Sequence, residues 1–159
     1  MYEAFQVFID RLKKGEAHKI EGPFAPDFLD VAEAELKFLK PVMVHGEAYL
    51  ADEHLVVCLT ASTEAKMPCA VCNEMITVPL AINHFYQTIP LEEIPSNLYD
   101  VGADLREALL IELPRTVECN RGKCPQRKNL APYLRSEKES IQPTHFPFAE
   151  LDEKKPNNV

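Results

Sequence analysis

Four of the five cysteines fall into two close pairs, a spacing typical of ligands for one metal ion. Cys69 and Cys72 form a C-x-x-C motif, Cys119 and Cys124 form a C-x-x-x-x-C motif, and Cys58 stands alone. A structural zinc site needs four tetrahedral ligands, with thiolate sulfurs about 2.3 Å from the ion. The tight turn of a C-x-x-C motif directs two sulfurs to one ion, and a second close pair completes the set. We therefore predict that Cys69, Cys72, Cys119 and Cys124 bind one structural zinc ion.

Three other interpretations of these cysteines stay open. The pairs are separated by the 46 residues from Asn73 to Glu118, more than in small zinc ribbons, so four ordinary reduced cysteines are the simplest alternative. A thioredoxin-like redox motif would need its C-x-x-C at a helix N-terminus, whereas the residues after Cys72 alternate as a strand. A catalytic zinc would need an open coordination position and a nearby general base. Because the sequence has no H-E-x-x-H motif, phosphate loop or G-x-S-x-G motif, we do not predict an enzyme.

Charge is distributed unevenly along the chain. The whole chain carries 17 basic and 25 acidic side chains, a net charge of −8, which argues against coating nucleic acid through bulk charge. The net charge is −11 over residues 1–114, +5 over residues 115–138 (the basic segment) and −2 over residues 139–159. Cations of the basic segment could contact nucleic-acid phosphates. These candidates are Arg115, Arg121, Lys123, Arg127, Lys128 and Arg135. An equally weighted alternative is that the first three only offset the negative charge of a zinc ion with four thiolates.

Length and composition indicate one compact domain. The chain has 159 residues, of which 46% are hydrophobic and 26% charged, so wholesale disorder is excluded. The longest apolar run, residues 55–59, is far shorter than the ~20 residues of a membrane span. The absence of a visible signal peptide predicts a cytoplasmic, reducing location, where disulfides are rare. We predict a single domain over residues 1–136 and a loosely held tail over residues 137–159.

Alternating apolar residues predict an antiparallel β-sheet before the first cysteine pair. The pattern favours a hairpin with a four-residue loop at residues 51–54, in which opposite residues share one buried face. The predicted pairs are Leu50/Leu55, Ala48/Val57 and Val44/Ala61. Alternation resumes over residues 76–82, a face that His84 would extend, and Pro79 restricts this strand to a sheet edge or a bulge.

One main helix is predicted in the second half of the chain. Asp104 can cap it, Glu107 is placed as a capping-box partner, and Pro114 marks its end. Apolar residues at helical spacing over residues 27–40 favour a second helix. Together these elements predict an α+β fold: an antiparallel β-sheet with one main helix in the C-terminal half, joined by a four-cysteine zinc site.

The order of these features resembles the YceD-like proteins, a bacterial family named for large ribosomal RNA subunit accumulation. The resemblance covers residues 36–134, and its most specific parts are the C-x-x-C turn and the sequence DLREALLIELP at residues 104–114. The chain departs from the pattern at Val71, where many members have Arg, and at Arg127, where many have Cys. The resemblance implies a cytoplasmic, non-enzymatic protein needed for 23S ribosomal RNA processing and large-subunit assembly. Its partner would be ribosomal RNA or a large-subunit ribosomal protein, with no membrane and no small-molecule substrate.

A second functional hypothesis is a zinc-stapled protein-interaction module that does not contact RNA. Here the acidic loop with Glu92, Glu93 and Asp100 would matter more than the basic segment.

Overall fold

The computed structural model describes residues 3–134. The chain divides into two compact units, with the boundary between Pro125 and Gln126. All described strands and both cysteine pairs belong to the first unit. In the second unit, the described residues are mainly those of a 3-10 helix assigned to Pro125–Tyr133. The predicted domain end at residue 136 and the predicted tail over residues 137–159 lie outside the described residues.

Two antiparallel sheets form the β-structure of the first unit. Their strands are β1 (Gln6–Phe8), β2 (His18–Phe24), β3 (Lys37–Phe38), β4 (Val42–Ala51), β5 (His54–Pro68), β6 (Met75–Pro90) and β7 (Leu98–Asp100). In the larger sheet, β4 lies between β2 and β5, β6 pairs with the other edge of β5, and β3 pairs with β5 beyond the start of β4. The strands β1 and β7 form the smaller sheet. The predicted antiparallel sheet is confirmed.

The β4–β5 hairpin has the register that the apolar pattern predicts. The structure pairs Leu50 with Leu55, Ala48 with Val57, and Val44 with Ala61. The predicted four-residue loop is wrong, because residues 51 and 54 also pair and leave a two-residue turn of Asp52 and Glu53. Asp52 has a φ of 53°, a left-handed conformation that Asp tolerates better than most residues.

Strand β6 is an edge strand with a bulge. Pro79 pairs with Glu64 of β5, and no other described strand pairs with β6, which agrees with the predicted position of this proline. Between the pairs Ala61–Ile82 and Leu59–Phe85, β6 has two residues opposite one of β5. This bulge shifts the alternation, so the predicted continuation of the buried face to His84 is wrong: His84 is exposed.

The α-helices of the first unit are α1 (Ile9–Leu12) and α2 (Val101–Ile111), whereas Cys119–Gly122 forms a turn with left-handed backbone angles at Asn120 and Arg121. The main helix, α2, begins three residues before the predicted start at Asp104. Asp100 is its N-cap, and the Asp100 carboxylate accepts a hydrogen bond from the Gly102 N–H at 2.9 Å. The helix predicted within residues 27–40 is not formed; this part of the chain has a 3-10 turn at Pro26–Leu29 and the short strand β3.

The core lies between one face of the larger sheet and the elements that cover it, including α2 and the N-terminal residues. It ends at Leu109, well before the second cysteine pair. Its buried residues are Phe5, Val7, Ile9, Leu12, Ile20, Leu29, Val42, Val44, Ala48, Leu55, Val57, Leu59, Ala61, Ile82, Ile89, Val101, Leu105 and Leu109. Within residues 3–134, none of the helices has the length and apolar character needed to span a membrane.

Candidate metal centre

The first cysteine pair lies at the tip of the β5–β6 hairpin, in residues 69–74 (the hairpin tip). The Cys69 N–H donates to the Glu74 carbonyl at 2.8 Å, and the Asn73 N–H donates to the Cys69 carbonyl at 2.9 Å. Asn73 has a φ of 66°, a conformation that Asn adopts more readily than most residues. These bonds close a tight turn, so Cys69 and Cys72 are held on one connection between two long strands.

The second cysteine pair lies in residues 119–124 (the cysteine turn). Asn120, Arg121 and Gly122 have positive φ angles of 53°, 54° and 84°, so the backbone reverses sharply between the two cysteines. The Lys123 N–H donates to the Asn120 carbonyl at 3.2 Å and closes the turn. Because Gly has no Cβ, Gly122 adopts this conformation without steric strain.

Backbone contacts bring the hairpin tip to the segment that leads into the cysteine turn. The Ala70 N–H donates to the Val117 carbonyl at 2.8 Å, and Cys69 and Val117 form an isolated parallel bridge. The two cysteine pairs are therefore joined through main-chain hydrogen bonds as well as through their side chains.

The four sulfurs of these two turns form a compact cluster. The Sγ atoms of Cys69, Cys72, Cys119 and Cys124 all lie within 4.8 Å of one another, and the Cys72 and Cys119 sulfurs are 3.8 Å apart. Tetrahedral coordination with bonds of about 2.3 Å places ligand sulfurs about 3.8 Å apart. The cluster therefore has the size and donor set of a four-cysteine metal site. Cys58, in β5, is not part of it.

Backbone N–H groups stabilise negative charge on one of the four sulfurs. The Cys69 Sγ accepts hydrogen bonds from the Cys119 N–H at 3.3 Å and the Val71 N–H at 3.5 Å. The bond from Cys119 is the largest cause that lowers the pKa of Cys69, to about 6. Such N–H···S bonds are the outer-shell contacts that orient metal-binding thiolates.

The neighbouring sulfurs raise the pKa of Cys119, whereas the backbone N–H groups lower that of Cys69. The pKa of Cys119 is raised well above its usual value. The largest cause is its hydrogen bond with Cys124, followed by burial and by its interactions with the Cys72 and Cys69 sulfurs. Thiolates at this separation repel one another, so all four can be negative together only if a cation lies between them. The electrostatics of the cluster therefore favour binding of a divalent cation.

The six basic residues predicted to contact phosphates are divided between the two units, and one of them lies outside the described residues. Arg115, Arg121 and Lys123 belong to the first unit, are exposed, and form no ion pair with another residue in the described part of the chain. Arg127 and Lys128 are exposed residues of the second unit. Arg135 lies outside the described residues.

Sequence reasoning identified the four sulfurs but missed the backbone groups that position them. The bridge at Val117 and the N–H donors of Val71 and Cys119 have no side-chain signature, so the sequence offers no signal for them. Comparison of this chain with protein-family models, with curated proteins and with solved structures finds no match. The case for a function therefore starts from the cysteine cluster itself.

Proposed function

We propose that the four cysteines bind one structural zinc ion. The single observation that carries this proposal is the clustering of four sulfurs within 4.8 Å of one another. Four thiolates in a tetrahedral arrangement are typical of structural zinc sites, and they leave no open position for a substrate or a reactive water. The ion would hold the hairpin tip against the cysteine turn and so fix the position of that turn, which carries Arg121 and Lys123.

Metal analysis of the full-length protein, purified without chelator under reducing conditions, tests the zinc site. We expect about one zinc ion per chain, as in other four-cysteine sites. Cys124→Ser removes a buried ligand and should lose most of the zinc. Cys58→Ser is the matched control, because Cys58 lies outside the cluster. A wild-type zinc content near zero, or an equal loss in both variants, would contradict the proposal.

We further propose a non-enzymatic cytoplasmic factor that supports 23S ribosomal RNA accumulation and large ribosomal subunit assembly. The support for this assignment is the resemblance of residues 36–134 to the YceD-like proteins, and the partner would be ribosomal RNA or a large-subunit ribosomal protein. The exposed cations beside the metal centre add a physical route to RNA. Arg115, Arg121 and Lys123 are exposed and have no ion-pair partner within residues 3–134, so their side chains can contact phosphates.

Charge reversal tests whether these cations contact RNA in large-subunit precursor particles. The triple variant Arg115→Glu, Arg121→Glu and Lys123→Glu should weaken association with the particles by about tenfold or more. Each lost phosphate contact should also reduce the slope of log affinity against log salt by about 0.7–0.9. A second variant, reversing Arg127, Lys128 and Arg135, tests the rest of the basic segment.

The control for charge reversal changes net charge equally at three exposed lysines elsewhere. It is the triple variant Lys14→Glu, Lys19→Glu and Lys37→Glu. Zinc content must be the same in all variants, so that a loss of association reflects charge and not folding. If the control weakens association as much as the first triple variant, the cations beside the metal centre are not the contact.

The protein-interaction alternative predicts a different result. Glu92 and Glu93 are exposed in the 3-10 turn after β6, and their reversal to lysine would disrupt a contact with a basic protein. Asp100 is unsuitable for this test, because its carboxylate caps α2. Loss of association in the Glu92/Glu93 variant, with the basic variants unchanged, would favour a protein partner over RNA.

A further inference from the structure

The four sulfurs of the metal centre differ in their exposure. Cys69 and Cys124 are only 1% and 4% exposed, whereas Cys72 and Cys119 are half-buried. Each of the two turns therefore contributes one buried, inner cysteine and one half-buried, outer cysteine. A small oxidant that approaches from solvent meets the outer sulfurs, Cys72 and Cys119, first.

The two outer sulfurs are also close partners across the junction. The Cys72 and Cys119 Sγ atoms are 3.8 Å apart, so a disulfide of about 2.05 Å requires them to approach by about 1.8 Å. The inner sulfur of the hairpin tip is engaged differently, since the Cys69 Sγ accepts two backbone N–H groups. Exposure thus selects one cysteine from each turn, and the sulfurs of these two cysteines are close enough to pair.

We propose that the metal centre is redox-regulated: a peroxide oxidant converts Cys72 and Cys119 into a disulfide, and the zinc ion leaves. This inference rests on the proposed zinc site. The disulfide joins the hairpin tip to the cysteine turn across 47 positions of sequence, so it replaces the metal as the link between them. A disulfide within either cysteine pair would instead leave the two turns without a covalent link.

The oxidation balances with one molecule of hydrogen peroxide. One thiolate attacks a peroxide oxygen; an S–O bond forms, the O–O bond breaks, and a sulfenic acid and hydroxide result. The second thiolate attacks the sulfenic sulfur; the S–S bond forms and a second hydroxide leaves. The sulfurs lose two electrons in total, the peroxide gains two, and two protons convert the hydroxides to water. Loss of two of its four ligands then releases the zinc ion.

Controlled oxidation of the full-length Cys58→Ser protein tests this inference, because that variant keeps the four-cysteine cluster and removes the fifth thiol. Zinc content is measured first, and hydrogen peroxide is then added stepwise. Released zinc is followed with a chromogenic chelator, and disulfides are mapped by mass spectrometry of non-reduced peptides. We expect the Cys72–Cys119 disulfide to predominate, with about one zinc released for each disulfide formed. A dithiol reductant with added zinc should restore the starting zinc content.

The outcomes separate this inference from the zinc proposal. The inference is overturned if the disulfide map is dominated by Cys69–Cys72 or Cys119–Cys124. It is also overturned if all four thiols persist in excess peroxide. If the purified protein contains no zinc, the zinc proposal fails by itself, and the disulfide map still decides which thiols pair.

Discussion

Gly46 lies at the closest approach of two strands in the main sheet. It pairs with Leu59 of β5 in the centre of the hairpin. A Cβ atom at Gly46 would lie 2.1 Å from the Cys58 carbonyl oxygen and 2.7 Å from the Leu59 Cα. Since both are backbone atoms, no side-chain rotation can relieve the overlap. Only glycine fits between β4 and β5 at this position.

Gly46→Ala should therefore destabilise the fold strongly. The strands must separate to admit the methyl group, and we expect a loss of about 1–3 kcal/mol in the free energy of unfolding, a cost typical of overpacked sites. Equilibrium urea unfolding of the zinc-loaded protein measures it. Glu47→Ala is the control, because the next side chain is exposed, and its effect should stay within about 0.5 kcal/mol. Equal stability of Gly46→Ala and the wild type would show that the strands separate at little cost.

At the same scale, the sequence pointed to the four cysteines that cluster in the structure but not to Gly46. The spacing of the two cysteine pairs is typical of metal ligands, so the four cysteines of the cluster could be chosen without a structure. A glycine in an alternating run looks like any small residue in a strand. The need for glycine arises only from the distance between two strands, which single-chain patterns do not contain.

Among the elements, the β4–β5 hairpin was predictable because period-two alternation fixes which face is buried. A shift of one residue in register would move every apolar side chain of one strand to the solvent. The observed pairs Leu50–Leu55 and Ala48–Val57 are the predicted ones. The pattern does not specify the turn, and Asp52 and Glu53 form a two-residue turn that their types do not favour.

Strand β6 shows where alternation fails as a guide. If the alternation over residues 76–82 continued, the His84 side chain would lie on the buried face. The bulge adds one residue to β6, so the side chains beyond it alternate in the opposite sense. Beyond it, Phe85 pairs with the buried Leu59, and Ile89 is buried. Nothing in the residue types distinguishes this bulge from a continuing strand, so the exposed position of His84 required the structure.

The predicted N-cap of α2, Asp104, is wrong because a second aspartate, Asp100, lies four residues earlier and caps the helix. Asp104 with Glu107 matches the capping-box pattern, yet Asp100 is the N-cap. Asp104 instead accepts a hydrogen bond from the Tyr99 hydroxyl. Burial is the main cause that raises the pKa of Tyr99, and the bond to Asp104 adds to it. Tyr99, the hydrogen-bond partner of Asp104, lies in β7, and the residue pattern does not show that this strand directly precedes the helix.

Within the first unit, the four-cysteine cluster is separate from the hydrophobic core. The core contains no residue beyond Leu109, and neither cysteine pair belongs to it. The segment after α2 meets the hairpin tip through the Ala70–Val117 hydrogen bond, the Cys69–Val117 bridge and the four sulfurs. The free energy of zinc binding should therefore stabilise this junction and not the whole sheet, in contrast to small zinc fingers, which unfold without metal.

Removal of the metal should accordingly loosen the junction and leave the sheet folded. After zinc is chelated under reducing conditions, amide hydrogen exchange in residues 69–74 and 117–124 should accelerate by about tenfold or more. These segments are then connected by the hydrogen bond from the Ala70 N–H to the Val117 carbonyl and the one from the Cys119 N–H to the Cys69 Sγ. Exchange in β4 and in residues 55–61 of β5, which contribute to the core, should change by less than about twofold. Reloading with zinc is the control and should restore slow exchange in both turns. Acceleration throughout β4 and β5 would instead show that the metal maintains the entire first unit, and that its core cannot persist without the four-cysteine site.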